Sequence, residues 1–303
     1  MPMVTIYSVV FPDTKNSLDT CIQQEIKVLC AQIDINTHAI AIHLNTNYRD
    51  DYPRMCFILF SLSNAYKHGY ISEIQKNQLV LLFWKIYSDS LVMLDAEQFE
   101  YVDLYGIRFL HNMSENLTRL IDHFSMQEYS RLYTDPIRMS IFMHAYEECP
   151  LLREKFTYSQ AIYNTCCNTL HFILNSNIRN NYEPFYFAEL QDLRMLDSVT
   201  KQKAHHVILK KFKDHYLQEQ ATSSGAASCL EHFVQVPDSS ILEDIFLFLS
   251  QRKLSHFGVY IRAEYIENST VLITENTDSQ YVCLDTHAHL LNAYLLYSSV
   301  LKK

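Results

Sequence analysis

A cysteine and a histidine in the C-terminal third are the residues best placed by type and order to perform chemistry. Cys229 follows a stretch of small residues and precedes a short predicted helix at 230–236, and His256 opens a predicted strand. The N–H groups at a helix N-terminus lower the pKa of a thiol, and an imidazole beside it takes the proton. Such a thiolate is a nucleophile. The alternative is a packed thiol at Cys229 and a half-exposed histidine on a hairpin.

Two short motifs around these residues resemble the NlpC/P60 family of papain-like cysteine hydrolases. One is DIFLF at 244–248, and the other is SHFGVYI at 255–261. That family has a cysteine at a helix N-terminus followed by strands of these two types. The resemblance covers about residues 225–285.

The resemblance implies a catalytic role for three residues. Cys229 would be the nucleophile and His256 the base, and a third polar group would orient the histidine. By the order of elements in the family, the third group lies near the end of the next strand, at Thr274, Glu275 or Asn276. We assign Asn276, although a histidine is common there in the family. The sequence also departs from the family at Pro237, which ends the cysteine helix within about two turns.

Two motifs contain paired histidines, a residue type that often binds metal ions. DTHAHL at 285–290 resembles the D-x-H-x-H opening of metal-dependent amidohydrolases, but their barrel needs about 200 further residues and fourteen follow His289. We expect the polar first turn of a final helix instead. His205 and His206 point about 100° apart on a helix, so they cannot chelate one ion well. With the lysines around them they suggest a solvated face, or else a contact with an acidic partner or a phosphate surface. No metal site is predicted.

The chain contains four glycines, where average usage would give roughly 21. It has no glycine-rich phosphate loop and no nucleophile elbow, which argues against a Rossmann dehydrogenase, a P-loop ATPase, a protein kinase and an α/β-hydrolase. No cofactor is predicted. Gly225 and Gly258 bracket the Cys229 and His256 pair. We interpret them as positions where the backbone makes a sharp turn or a close approach.

Composition and charge indicate a soluble protein of a reducing compartment such as the cytoplasm. The net charge of −9 gives no support for nucleic-acid binding. No apolar run is long enough to span a membrane, and the N-terminus lacks the features of a classical signal peptide. The eight cysteines are spread thinly and form no C-x-x-C pair, so we expect thiols rather than disulfides.

From about residue 13 to 220 the apolar spacing predicts helices. Ser72 followed by Gln75 is typical of a capping box, and Asp135 followed by Pro136 is typical of a helix start. Beyond a small and polar stretch at 218–228, four β-favouring runs alternate with turn residues. They lie at 245–249, 257–261, 271–274 and 281–284.

The predicted fold is mainly α with a small α+β C-terminal part. An irregular helical bundle at 1–217 is followed by a linker or lid at 218–228 and by a small α+β domain at 229–303. In that last domain we expect a short antiparallel β-meander and a final helix at about 287–301.

Two functions follow from these patterns. The first is a helical protein–protein interaction module of effector or adaptor type, because no cofactor or metal pattern is present and many aromatic residues lie on predicted helices. The composition is similar to that of effector-type proteins of intracellular bacteria. The alternative is an NlpC/P60-like cysteine hydrolase or acyltransferase that uses Cys229 and His256, with the helical region holding a substrate protein.

Overall fold

The computed structural model describes residues 15–30, 33–34, 39–40, 48–126, 132–133, 135–175, 190, 193–215, 223–235, 241–242, 244–245, 260–262 and 281–300. These residues are mainly helical. The helices are α1 (Lys15–Cys30), α2 (Tyr48–Lys67), α3 (Glu73–Met93), α4 (Ala96–Asn112), α5 (Thr118–Ser125), α6 (Pro136–Glu148), α7 (Pro150–Lys155), α8 (Ser159–Asn175), α9 (Ser198–His215), α10 (Ser223–Phe233) and α11 (Leu284–Val300).

The predicted β-meander is wrong, because the described part of the C-terminal third is dominated by α10 and α11. Its strand content is one antiparallel pair of three-residue strands, β3 (Tyr260–Arg262) and β4 (Tyr281–Cys283). An equally short pair, β1 (Ile33–Asp34) and β2 (Ala39–Ile40), lies near the N-terminus. Ile245, which we predicted to start a strand, is helical and buried. A short apolar run fits a buried helical turn as well as a strand, so periodicity alone does not separate them.

Two helix starts that the sequence predicts are confirmed. Ser72 caps α3: its hydroxyl accepts a bond from the backbone N–H of Gln75, and the Gln75 side chain accepts one from the backbone N–H of Ser72. Asp135 caps α6 by accepting a bond from the N–H of Ile137 at 2.9 Å, with Pro136 in the first helical turn. Each cap satisfies N–H groups that have no partner within the helix.

The last helix lies at the centre of the packing. α11 contacts α1, α2 and α10, while α2 packs on α4, and α4 packs on α3, α5 and α6. Leu290, Leu291 and Ala293 of α11 are buried in the same core as Leu18 and Ile22 of α1. The helix therefore joins the two ends of the chain. The predicted domain division stays a prediction. Within the described residues no helix is long and apolar enough to span a membrane.

Close packing of α3, α4 and α5 depends on Gly106. A Cβ atom at this position would lie 2.6 Å from Cζ of Phe83 on α3 and 2.5 Å from Cδ2 of Leu120 on α5. Both distances are far below van der Waals contact, and both neighbouring side chains are fully buried. The missing side chain of Gly106 thus sets how closely α3 and α5 approach α4. The groove described next lies between those two helices.

Candidate functional site

A groove of about 690 Å³ runs between α3 and α5. On α3 the spacing of Trp84, Tyr87 and Leu91 places these side chains on one face. On α5 and its C-cap the spacing of Arg119, His123 and Met126 does the same. The remaining lining residues are Asn116, Thr118 and Asp122.

Aromatic rings form the rigid part of the groove. The Trp84 ring meets the Tyr87 ring edge-on at 5.6 Å and the Phe83 ring at 5.4 Å. Phe83 in turn contacts Phe109 of α4 at 5.1 Å, and both of these rings are fully buried. Such ring pairs contribute beyond their buried area and hold one another in place. The aromatic lining is therefore preorganised by the core beneath it.

Arg119 is the cation of the groove. Its guanidinium carbon lies 5.7 Å from the centre of the Trp84 ring and 5.6 Å from that of Tyr87, which is within cation–π range. Within the described part of the chain, Arg119 has no carboxylate partner at ion-pair distance, although the exposed Asp122 lies on the same helix. The guanidinium is thus fixed by the rings and remains exposed to solvent.

The buried carboxylate of Asp103 orients two side chains of the site, the imidazole of His123 and the phenol of Tyr87. Oδ2 of Asp103, which is fully buried on α4, lies 2.7 Å from Nδ1 of His123, and its Oδ1 accepts a bond from the Tyr87 hydroxyl at 3.3 Å. The hydrogen bond to Asp103 raises the pKa of His123. Burial, together with the Asp103 charge, raises the pKa of Tyr87, so its hydroxyl stays protonated.

The groove has the chemistry of binding more than that of nucleophilic catalysis. An imidazole held by a buried carboxylate is half of a catalytic triad. Among the lining residues within the described ranges, however, the hydroxyls belong to Tyr87 and Thr118. The first donates to Asp103, and the second accepts a bond from Lys155 at 3.3 Å. The half-buried Trp84 ring and the exposed guanidinium of Arg119 remain available to a ligand, while the Tyr87 ring is buried beneath them.

Cys229 is not at a helix N-terminus. It is the seventh residue of α10, which begins at Ser223, and its side chain is fully buried. Ser223 to Ser228, predicted as linker, form the first part of this helix because alanine favours helix strongly. His256, Asn276 and the other family positions at 258 and 274–275 lie outside the described residues, so the proposed dyad stays a prediction.

The histidines of the DTHAHL motif contact carboxylates of other helices. Nδ1 of His287 lies 2.5 Å from Oε2 of Glu25 on α1, and Nδ1 of His289 lies 2.5 Å from Oε1 of Glu231 on α10. The motif forms the first turn of α11, as predicted, but it is largely buried and does not face solvent. The described residues contain no group of three side chains that could hold a metal ion.

His205 and His206 have different surroundings, although they are adjacent. His206 is exposed, as expected for a solvated face. Nδ1 of His205 lies 2.8 Å from Nε2 of His232, which is fully buried on α10. One of these two nitrogens must donate a proton to the other. His205 therefore joins α9 to α10.

Sequence reasoning missed the roles of Arg119 and His123. Trp84 was recognisable as an aromatic residue in an apolar helix, and the i, i+4, i+7 spacing of Arg119, His123 and Met126 was available as a signal. The sequence does not show that this face of α5 lies opposite Trp84. Comparisons with models of protein families, with curated proteins and with solved structures find no match to this chain.

Proposed function

We propose that this chain is a helical protein-interaction module and that the α3–α5 groove receives an apolar side chain of a partner protein. The observation that carries the proposal is the lining itself. Tryptophan, tyrosine and arginine are the residues that most often dominate binding energy at protein interfaces. Here Trp84 and Arg119 line one open groove, and the buried Tyr87 ring contacts both of them from below.

Exposed apolar side chains concentrate on the same helix. The exposed large hydrophobic residues of α3 are half of those found in the described part of the chain, and they are Ile74, Leu81, Leu91, Val92 and Met93. Met126, across the groove, is 79% exposed. Exposed apolar side chains gathered on one element are typical of interaction sites, because burial against a partner is favourable. Of the five on α3, Leu91 lines the groove itself.

The effector or adaptor type and the reducing compartment are part of this proposal. Binding a partner without transforming it suits a groove that offers rings and a guanidinium but no unengaged hydroxyl among its described lining residues. Seven of the eight cysteines, all except Cys283, are free thiols, which fits a compartment that keeps thiols reduced. The cysteine hydrolase remains the alternative prediction, and burial of Cys229 weighs against it, because a substrate must reach the thiol.

Selection from a random peptide library displayed on phage tests the proposal. We expect the full chain to retain peptides with an aromatic or long aliphatic residue, and Trp84→Ala to retain them at least about tenfold less well. Because Trp84 is partly buried, Leu91→Asn at the 42% exposed rim serves as a second variant that leaves the core intact.

The matched control is Phe172→Ala, which removes an aromatic ring that is 66% exposed on α8, away from the groove. It should retain the same peptides as the unchanged chain. Equal retention by Trp84→Ala and Leu91→Asn, or failure of the unchanged chain to select any apolar residue, would overturn the proposal.

A further inference from the structure

We infer that the groove is specific for an acidic partner segment, in which an aspartate or glutamate lies next to the apolar side chain that enters between α3 and α5. This inference rests on the proposed function and adds the chemistry of the ligand. Its basis is charge complementarity at one point of the lining, the guanidinium of Arg119.

Arg119 is held in the geometry that carboxylate binding needs. The rings of Trp84 and Tyr87 contact its guanidinium and favour this placement of the side chain, so less side-chain entropy is lost when it binds. Its exposed N–H groups can bond both oxygens of a carboxylate. In the described residues no protein carboxylate reaches it at ion-pair distance. A partner carboxylate would therefore gain a preorganised cation without displacing an existing ion pair.

Two carboxylates belong to the surroundings of Arg119, and neither lies at ion-pair distance from its guanidinium in the described residues. Asp103 is fully buried, and its two oxygens are engaged by His123 and Tyr87 within the protein. Asp122 is exposed and lies outside ion-pair distance of Arg119, where water screens the interaction. The guanidinium of Arg119 carries one positive charge, and a carboxylate carries one negative charge. Both groups are planar, so two N–H groups of the guanidinium can bond the two carboxylate oxygens.

Asp122 allows a second test of the inference, because removing its charge should have the opposite effect to removing the charge of Arg119. This carboxylate lines the same groove as Arg119 and repels an incoming anion. Removing its charge by Asp122→Asn should strengthen the preference for acidic peptides, while Arg119→Gln should abolish it. A matched control is Arg194→Gln, because Arg194 is exposed and lies outside the groove.

A first experiment needs no ligand, because Trp84 is the single tryptophan of the chain. Iodide and caesium quench its emission in proportion to their local concentration, which the nearby charge changes. We expect the ratio of the iodide to the caesium quenching constant to be the same in the unchanged chain and in Arg194→Gln. The ratio of the two quenching constants should fall severalfold in Arg119→Gln and rise in Asp122→Asn. An equal ratio in the unchanged chain and in Arg119→Gln would overturn the inference.

The second experiment uses the same displayed peptide library. Peptides retained by the unchanged chain should carry Asp or Glu close to their apolar residue, and Arg119→Gln should bind them about tenfold more weakly. Apolar peptides retained without acidic enrichment, or equally by Arg119→Gln, would overturn this inference and leave the proposed function standing. If no apolar peptide is retained at all, both fail.

Discussion

Nδ1 of His123 on α5 lies 2.7 Å from Oδ2 of Asp103, a fully buried carboxylate on α4. The same carboxylate accepts a hydrogen bond from the hydroxyl of Tyr87 on α3. One buried charge therefore connects the three helices around the groove and fixes the orientation of two of its rings. The His123 ring also contacts the Phe99 ring at 4.8 Å, so it is held from several sides. A preorganised lining loses less entropy on binding than a flexible one.

This pair makes the stability of the chain depend on pH. The folded-state pKa of His123 lies above its ordinary value of 6.5, because of the hydrogen bond to Asp103. Its contribution is fully present below about pH 6.5 and is lost as pH rises through the folded pKa. The unfolding free energy of the unchanged chain should therefore decrease as pH rises, and His123→Gln should remove the part of this decrease that comes from His123. Urea denaturation of the unchanged chain and of His123→Gln, below about pH 6.5 and above the folded-state pKa, measures this difference in unfolding free energy. Identical pH profiles of the two proteins would contradict the pairing of His123 with Asp103.

Removing either member of the Glu25 and His287 pair should destabilise the fold. Both side chains are buried, and either substitution removes the buried contact between Nδ1 of His287 and Oε2 of Glu25. We expect Glu25→Ala and His287→Ala each to lower the unfolding free energy by about 3 kcal/mol. The double variant should lose clearly less than the sum of the two.

His206→Ala is the matched control for this experiment, because the imidazole of His206 is exposed on α9. It should change the unfolding free energy by less than about 0.5 kcal/mol. Strict additivity of Glu25→Ala and His287→Ala in chemical denaturation would mean that the two side chains do not interact.

Gly106→Ala should destabilise the chain, although alanine is normally the better residue within a helix by about 1 kcal/mol. The added methyl group would overlap Phe83 and Leu120, and overpacking of this kind costs roughly 1–3 kcal/mol. Thermal unfolding measures the change, with Gln202→Ala on the exposed surface of α9 as a control. A higher melting temperature for Gly106→Ala would show that α3 and α5 are not in close contact with α4.

Thiol labelling separates the interaction module from the cysteine hydrolase. Because Cys229 is fully buried, it should react with a thiol probe no faster than the buried Cys56. Both should react more slowly than the half-buried Cys21 and Cys167, and all four should react readily in denaturant. Preferential labelling of Cys229 that disappears in His256→Ala would instead support the hydrolase.

The sequence predicts local structure well where the signal is itself local. The Ser72 capping box and the Asp135 cap each lie within four residues, and both occur in the structure. The strand prediction at Ile245 failed because a short apolar run fits a buried helical turn equally well. Ser223 to Ser228 form a helix although their small residues suggested a linker.

The candidate site was harder to predict because its contacts cross between helices. His287 was expected to lie in a polar first turn, but it is buried against Glu25. That contact was not predictable from local spacing, because Glu25 is 262 positions away in the chain. Gly106 marks a close approach of helices that the sequence does not show. The pairing of Arg119 with Trp84 depends on how α5 lies against α3, and no spacing within either helix shows it.

Emission of Trp84 during titration with a selected peptide tests the interaction groove most directly. The chain has one tryptophan and it lines the groove, so its emission reports on that site alone. We expect a saturable change in Trp84 emission for the unchanged chain and for Phe172→Ala, and a weaker affinity for Leu91→Asn. A peptide that binds by calorimetry while Trp84 emission stays constant would show that binding occurs elsewhere and would contradict the proposed function.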